Sequence, residues 1–98
     1  MRDLKEIRSE IDEIDDQITY LYLNRLRLAG DVAAYKMSKN LPVFDKKRED
    51  EKLDSLSENG NDEFEKTGIR ELFTQIMSSN RKKQYKLLAD RDNNKFSF

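Results

Sequence analysis

The chain is 98 residues long, enough for one small domain with a limited hydrophobic core. Lys and Arg number 19 against 20 Asp and Glu, and the resulting net charge of −1 argues against a general nucleic-acid or anionic-membrane surface. The absence of Cys and His excludes thiol catalysis, disulfides, imidazole bases and the usual zinc ligands. The charged N-terminus and the lack of a long apolar run predict a soluble, cytoplasmic protein.

The first predicted element is one long helix from about Asp3 to Met37, because apolar residues recur every three or four positions and no Pro interrupts them. At about 1.5 Å per residue this helix would be roughly 50 Å long. The rest of the chain is too short to cover an apolar seam of that length, so the sequence predicts a homodimer in which a second copy covers it. The seam consists of Leu4, Ile7, Ile11, Ile14, Ile18, Leu21, Leu28, Val32 and Tyr35.

A cationic notch interrupts this seam, because Arg25 occupies a position where the pattern calls for an apolar residue. Lys36 lies on the same face eleven residues later, with only small side chains between. Buried cations need an anion, and no acid lies on that face, so the notch predicts a small ligand with more than one carboxylate. The alternative for Arg25 alone is a stem lying on apolar surface with its head paired to Asp12 or Asp31.

Arg8 lies seventeen residues before Arg25, or about 25 Å along the same helix, and cannot reach the notch of its own chain. In an antiparallel pair of first helices, Arg8 of one copy would approach the Arg25–Lys36 region of the other, and two-fold symmetry would give two such sites. The alternative is an ordinary helical ion pair between Arg8 and Asp12.

Residues 38–44 break the helical pattern, and Asp45 is a candidate N-cap for a short charged helix that ends near Ser57. Because this helix has so few apolar residues, we expect it to form a lid rather than part of the core. Arg48 and Glu49 alone would be an ordinary solvated pair. One side of the helix carries Asp45, Arg48, Glu49, Lys52 and Leu56.

A third helix is predicted to begin with a capping box formed by Asp62 and Glu65. Its apolar stripe is interrupted by Asn80 and Gln84, one turn apart, which either set the register of a helical bundle or face a ligand. The predicted domain covers residues 1–90, and the polar tail 91–98 is expected to fray. The stripe contains Ile69, Phe73, Ile76, Asn80, Gln84 and Leu87.

The ordered set of these spacings resembles the small all-helical chorismate mutases from Leu4 to about Leu88. The resemblance implies an all-α fold of three helices, one very long, one short and one medium, in an intertwined homodimer. The matching pieces are Arg8-x-x-Ile11-x-x-Ile14-Asp15, Arg25 followed by Lys36, Pro42-Val43-x-Asp45-x-x-Arg48-Glu49, and Phe73-x-x-Ile76-Met77 with Gln84.

The activity implied by the resemblance is the rearrangement of chorismate to prephenate, an isomerase step toward phenylalanine and tyrosine that needs no cofactor or metal. In the family, the arginine matching Arg8 comes from the partner subunit and holds the substrate carboxylates together with the arginine matching Arg25. The position matching Asn80 is usually a serine that contacts a carboxylate.

The same resemblance assigns the chemistry of the breaking bond. Residues matching Lys36 and Gln84 donate to the ether oxygen. The acid matching Glu49 accepts from the ring hydroxyl, helped by the position of Asp45, while Arg48 lies alongside.

Three alternatives remain open at this point. One is an isochorismate-pyruvate lyase, which shares the fold and the cationic pocket; Glu49 and Gln84 favour the mutase. Another is a helical dimer without catalytic function, such as an adaptor, which leaves a buried Arg25 unexplained. The last is a module of a fused enzyme.

Overall fold

A computed structural model of the chain describes residues 1–95, which form three helices and no strand. They are α1 (Leu4–Ser38), α2 (Lys46–Ser57) and α3 (Glu63–Lys95). The predicted all-α class and the helix order are confirmed. Within the described part of the chain, no helix is both long and apolar enough to cross a bilayer.

Local side-chain chemistry sets both ends of α1. Asp3 caps the N-terminus by accepting from the backbone N–H of Lys5 at 3.3 Å. At the C-terminus Asn40 adopts a left-handed φ of 54°, and the N–H of Leu41 bonds back to the carbonyl of Lys36 at 2.8 Å. This 6→1 closure is the Schellman pattern, and Asn tolerates the left-handed position better than other non-glycine residues.

The start of α2 follows the prediction closely. The side chain of Asp45 accepts from the backbone N–H of Arg48 at 3.0 Å, as an N-cap does. The helix ends at Ser57, and a turn that contains Gly60 leads into α3.

The start of α3 differs in detail from the predicted capping box. Asp62 accepts from the N–H of Glu65 at 2.8 Å, as expected. Glu65 reaches back to the N–H of Asn61 at 2.9 Å rather than to the N–H of Asp62. The reciprocal bond therefore spans one more residue, and the side-chain amide of Asn61 donates to the same Glu65 oxygen at 3.2 Å.

The end of α3 lies further along the chain than the sequence indicated. At 33 residues α3 is almost as long as the 35-residue α1, so the expected medium helix is a long one. It continues through residues 91–95, the first part of the predicted tail, and the Lys86–Asp90 pair at 3.0 Å supports the turn that leads there. Residues 96–98 lie outside the described part of the chain.

The molecule is elongated, with extents of 65 × 29 × 15 Å. Its radius of gyration is 17.8 Å, whereas a compact domain of this length would have about 13 Å. Helix α3 packs against both α1 and α2, and within residues 1–95 the helices α1 and α2 do not pack on each other. The buried apolar residues between them are few: Ala29, Ala33 and Met77.

Most of the α1 seam is exposed in the single chain, as its length predicted. Ile14 is 52% exposed and Leu21 is 62% exposed, values that are high for residues of this size at regular helical spacing. Helix α3 packs instead on the neighbouring face of α1, which contains the buried Ala29 and Ala33.

Candidate active site

A cavity of about 400 Å³ lies between the C-terminal half of α1, the first turns of α2 and the middle of α3. All the site residues predicted from the sequence line it except Arg8. Those that do are Arg25, Lys36, Asp45, Arg48, Glu49, Asn80 and Gln84.

Arg25 points across the helix interface rather than toward an acid on its own helix. Its Nη1 donates to Oδ1 of Asn80 on α3, 55 positions away in the sequence. Burial lowers the pKa of the Arg25 guanidinium below its usual value; the negative charge of Glu49 raises that pKa and the positive charge of Arg48 lowers it further. The cost of burying the charged guanidinium therefore exceeds the stabilisation that Glu49 provides, and a bound anion would offset this cost.

The alternative partners for Arg25 are not used. Asp31 lies nearest to Arg27, at 4.0 Å in an exposed i, i+4 pair. Asp12 forms no ion pair within the described residues. The predicted alternative, a pairing of Arg25 with Asp12 or Asp31, is therefore not formed among the described residues.

Two amide side chains on α3 are buried at the cavity. Asn80 is 5% exposed and Gln84 is 8% exposed. Asn80 Nδ2 and Gln84 Oε1 are buried and have no hydrogen-bond partner within residues 1–95. An unsatisfied buried polar group costs about 1–3 kcal/mol, a cost that a ligand or an ordered water bound in the cavity would remove. Rotation of the Gln84 amide by half a turn would exchange its donor and its acceptor.

Lys36 is anchored in the last turn of α1. Its Nζ donates to the carbonyl of Val43 at 2.8 Å, and its own carbonyl closes the end of the helix. An ammonium group has three donors, so the bond to Val43 leaves two for the cavity. The α1–α2 loop thus orients the cation.

The lid helix contributes two residues with different local contacts. Asp45 uses one carboxylate oxygen as the N-cap, and its second oxygen accepts no hydrogen bond among the described residues. Glu49 does not form the solvated pair with Arg48 that was the alternative; it forms an ion pair with Arg81 on α3.

Arg81 is a cavity residue that the sequence analysis missed. Its Nη1 donates to Oε1 of Glu49, and its guanidinium lies over the ring of Phe44 at 4.8 Å from the centroid. A signal was present, since Arg81 follows Met77 by four residues and precedes Gln84 by three, which places it on the face of α3 that lines the cavity.

Arg8 is exposed on the N-terminal part of α1 and does not line the cavity. Within residues 1–95 it has no ion pair, so the predicted alternative pairing with Asp12 is not formed. A single chain leaves Arg8 roughly 25 Å from Arg25 along the helix axis.

The fold and the cavity define an all-helical protein with a pocket lined by cationic and amide side chains. Residues 7–85 match the family described as chorismate mutase type II. The chain belongs to this family.

Curated relatives support the same family. The chain is 48% identical over 46 residues to a chorismate mutase of Methanocaldococcus jannaschii, a match covering 47% of this chain and 46% of that protein. It is 39% identical over 56 residues to a bifunctional chorismate mutase/prephenate dehydratase of Aquifex aeolicus, covering 57% of this chain and 16% of that protein. Each match thus spans less than half of the relative's own length.

Two solved structures of chorismate mutase from Thermus thermophilus are similar over more of the chain. Form II superposes with a TM-score of 0.79 at 28% identity and covers 84% of this chain and 93% of that one. Form I superposes with a TM-score of 0.73 at 30% identity and covers 79% of this chain and 96% of that one. The helix arrangement is therefore similar to theirs over most of both chains.

Proposed function

We propose that this chain catalyses the rearrangement of chorismate to prephenate, a step toward phenylalanine and tyrosine. One observation carries the proposal: basic residues and buried, partly unsatisfied amides from three helices line one cavity of about 400 Å³. Membership of the chorismate mutase type II family supports it.

The reaction suits a site without Cys or His. A concerted [3,3] shift within one molecule needs no nucleophile, metal or proton relay, but it does need a flexible dianion to be held in a compact, chair-like shape. Arg25 and Arg8 of the partner subunit bind the substrate carboxylates, with Arg48 alongside, since guanidinium groups can clamp a carboxylate with two bonds. Asn80 holds Arg25 through Oδ1 and offers Nδ2 to the same carboxylate.

Charge that develops during the reaction is met by Lys36 and Gln84. As the C–O bond breaks, negative charge grows on the ether oxygen. A donor already held in place, as Lys36 is, stabilises that oxygen more in the transition state than in the ground state, and Gln84 adds a second donor through Nε2 of its amide. The bond from Lys36 to the Val43 carbonyl supports this role, because an anchored ammonium does not have to reorganise during the reaction.

Glu49 and Asp45 are the acceptors for the ring hydroxyl. Both lie at the lid side of the cavity, and each carboxylate has one oxygen engaged with the protein and one available. A substrate without that hydroxyl would leave these acceptors unpaired.

The complete site requires a second copy of the chain, in an antiparallel homodimer that supplies Arg8 in trans. The exposed α1 seam supports this part of the proposal, because a row of large apolar side chains is costly to leave in water. A cytoplasmic location stays a prediction.

The test is a direct assay. The chain is expected to remove the ultraviolet signal of chorismate and to give phenylpyruvate after acid treatment. A parallel assay with isochorismate tests the lyase alternative. Release of pyruvate from isochorismate, with no conversion of chorismate, would identify a lyase and contradict the mutase assignment. An adaptor would convert neither substrate, and its melting temperature would not rise with a chorismate-like dicarboxylate.

A further inference from the structure

Arg81 links three segments of the chain at the edge of the cavity. It lies on α3, its guanidinium donates to Glu49 on α2, and it covers the ring of Phe44 in the loop before α2. It lies outside the residues that carry the family resemblance.

The Arg81–Glu49 pair differs from every other ion pair among the described residues. Its side chains are 28% and 21% exposed, whereas both members of each other pair are at least 45% exposed. Surface pairs are weakened by solvent and salt, and a partly buried pair is screened less. Arg81 and Glu49 are therefore held together more firmly than an ordinary surface pair.

Glu49 has competing cations in the same cavity. Glu49 and Arg25 line the same cavity, and the negative charge of Glu49 raises the pKa of the Arg25 guanidinium. If Glu49 turned toward Arg25, it would neutralise the guanidinium that the substrate carboxylate needs, and its free oxygen would no longer face the ring hydroxyl.

We propose that Arg81 is a positioning residue that holds Glu49 by Oε1, so that Oε2 faces the substrate ring hydroxyl and Arg25 stays free for the carboxylate. This inference rests on the function proposed above. Arg81 thereby sets the preference for a ring that carries the hydroxyl, without touching the reacting atoms.

The experiment compares Arg81→Met with Lys82→Met, the neighbouring exposed residue, which loses the same charge on the same helix. Methionine keeps an unbranched apolar stem for packing on Phe44. For each variant kcat and KM are measured with chorismate and with an analogue that lacks the ring hydroxyl. Circular dichroism and melting temperature establish that each variant is folded.

Arg81→Met is expected to lower kcat/KM on chorismate by about tenfold or more, the loss of one charge-assisted contact, and to change kcat/KM on the analogue much less. The preference for the hydroxyl should therefore fall, with KM for chorismate raised. Arg81→Lys, which keeps the charge but not the planar fork, should recover part of the preference. Lys82→Met should match the wild type on both substrates.

A double variant tests the route of the effect. In a Glu49→Gln background, adding Arg81→Met should lower kcat/KM little further, because the two residues act through one contact. Equal losses on both substrates would make Arg81 a merely structural residue and overturn the inference, as would additive losses in the double variant. A folded wild type that does not convert chorismate would overturn the proposed function itself. An active wild type together with an Arg81→Met variant whose substrate preference is unchanged would overturn only the role of Arg81.

Discussion

Lys36 illustrates how one side chain is prepared at the residue scale. The end of α1 fixes its backbone, and the Val43 carbonyl fixes its ammonium group. These two constraints hold the cation in place before any ligand binds, so the proposed stabilisation of the ether oxygen would need little reorganisation in the reaction step.

Replacing Lys36 with Ala should therefore lower kcat/KM by about 10²–10³-fold, or roughly 3–4 kcal/mol, as for other preorganised donors. The control is Lys39→Ala, an exposed lysine at the C-cap of the same helix, which should stay near wild type. Chorismate consumption measured by ultraviolet absorbance checks both. Similar losses in the two variants would contradict the role of Lys36.

Asn80 should contribute less to the rate than Lys36. In the proposed function its contact with Arg25 helps to bind a carboxylate in the ground state and the transition state alike, so Asn80→Ala should raise KM more than it lowers kcat. Asn80→Ser, the residue usual in the family, should keep most of the activity. Steady-state kinetics decide, and a kcat loss in Asn80→Ala as large as in Lys36→Ala would rule out this division of roles.

At the scale of elements, the turn before α3 depends on close backbone approach. A Cβ on Gly60 would lie 2.7 Å from the backbone N of Lys66 and 3.0 Å from the carbonyl carbon of Glu65. Backbone atoms of a helical turn cannot move aside as a flexible side chain can, so the turn that joins α2 to α3 requires glycine at this position.

Gly60→Ala should lower the free energy of unfolding by about 1–3 kcal/mol, the usual cost of overpacking. The matched control is Gly68→Ala within α3, where nothing lies within 4 Å of the added Cβ. That variant should gain about 0.5–1 kcal/mol, because alanine has the higher helix propensity. Denaturant unfolding of both variants tests the contrast, and equal shifts would show that the close approach is unimportant.

At the scale of the whole molecule, one chain is a thin, elongated set of helices with a small core. A length of 65 Å and an exposed seam that includes Ile14 and Leu21 leave most of the apolar surface of α1 without a partner inside the chain. The homodimer proposed above would bury this surface and would bring Arg8 of one copy to the cavity of the other.

Mixing two inactive variants tests that arrangement. Arg8→Ala and Lys36→Ala should each be nearly inactive, but a mixed dimer holds one intact site, formed by Lys36 of one copy and Arg8 of the other. Random exchange should restore roughly a quarter of wild-type activity, since half the dimers are mixed and half their sites are complete.

Analytical ultracentrifugation supplies the control by showing a dimer of the same mass in all samples. No recovery after exchange, or a monomer at assay concentration, would contradict the trans contribution of Arg8.

The sequence by itself determined what depends on near neighbours along the chain. The seam of α1, the N-caps at Asp45 and Asp62 and the break near Asn40 all follow from interactions within about one helical turn, which spacing and residue type record directly. The same spacing, with the family resemblance, identified the candidate residues that were found to line one cavity.

Only the tertiary structure decided which side chains meet across helices. The contacts Arg25–Asn80 and Arg81–Glu49 join residues 55 and 32 positions apart, and the pairing of Glu49 with Arg81 rather than Arg48 depends on how α2 packs on α3. Periodicity gives the face of a helix but not the height and rotation at which two faces meet, because those are set by packing of the whole set of side chains.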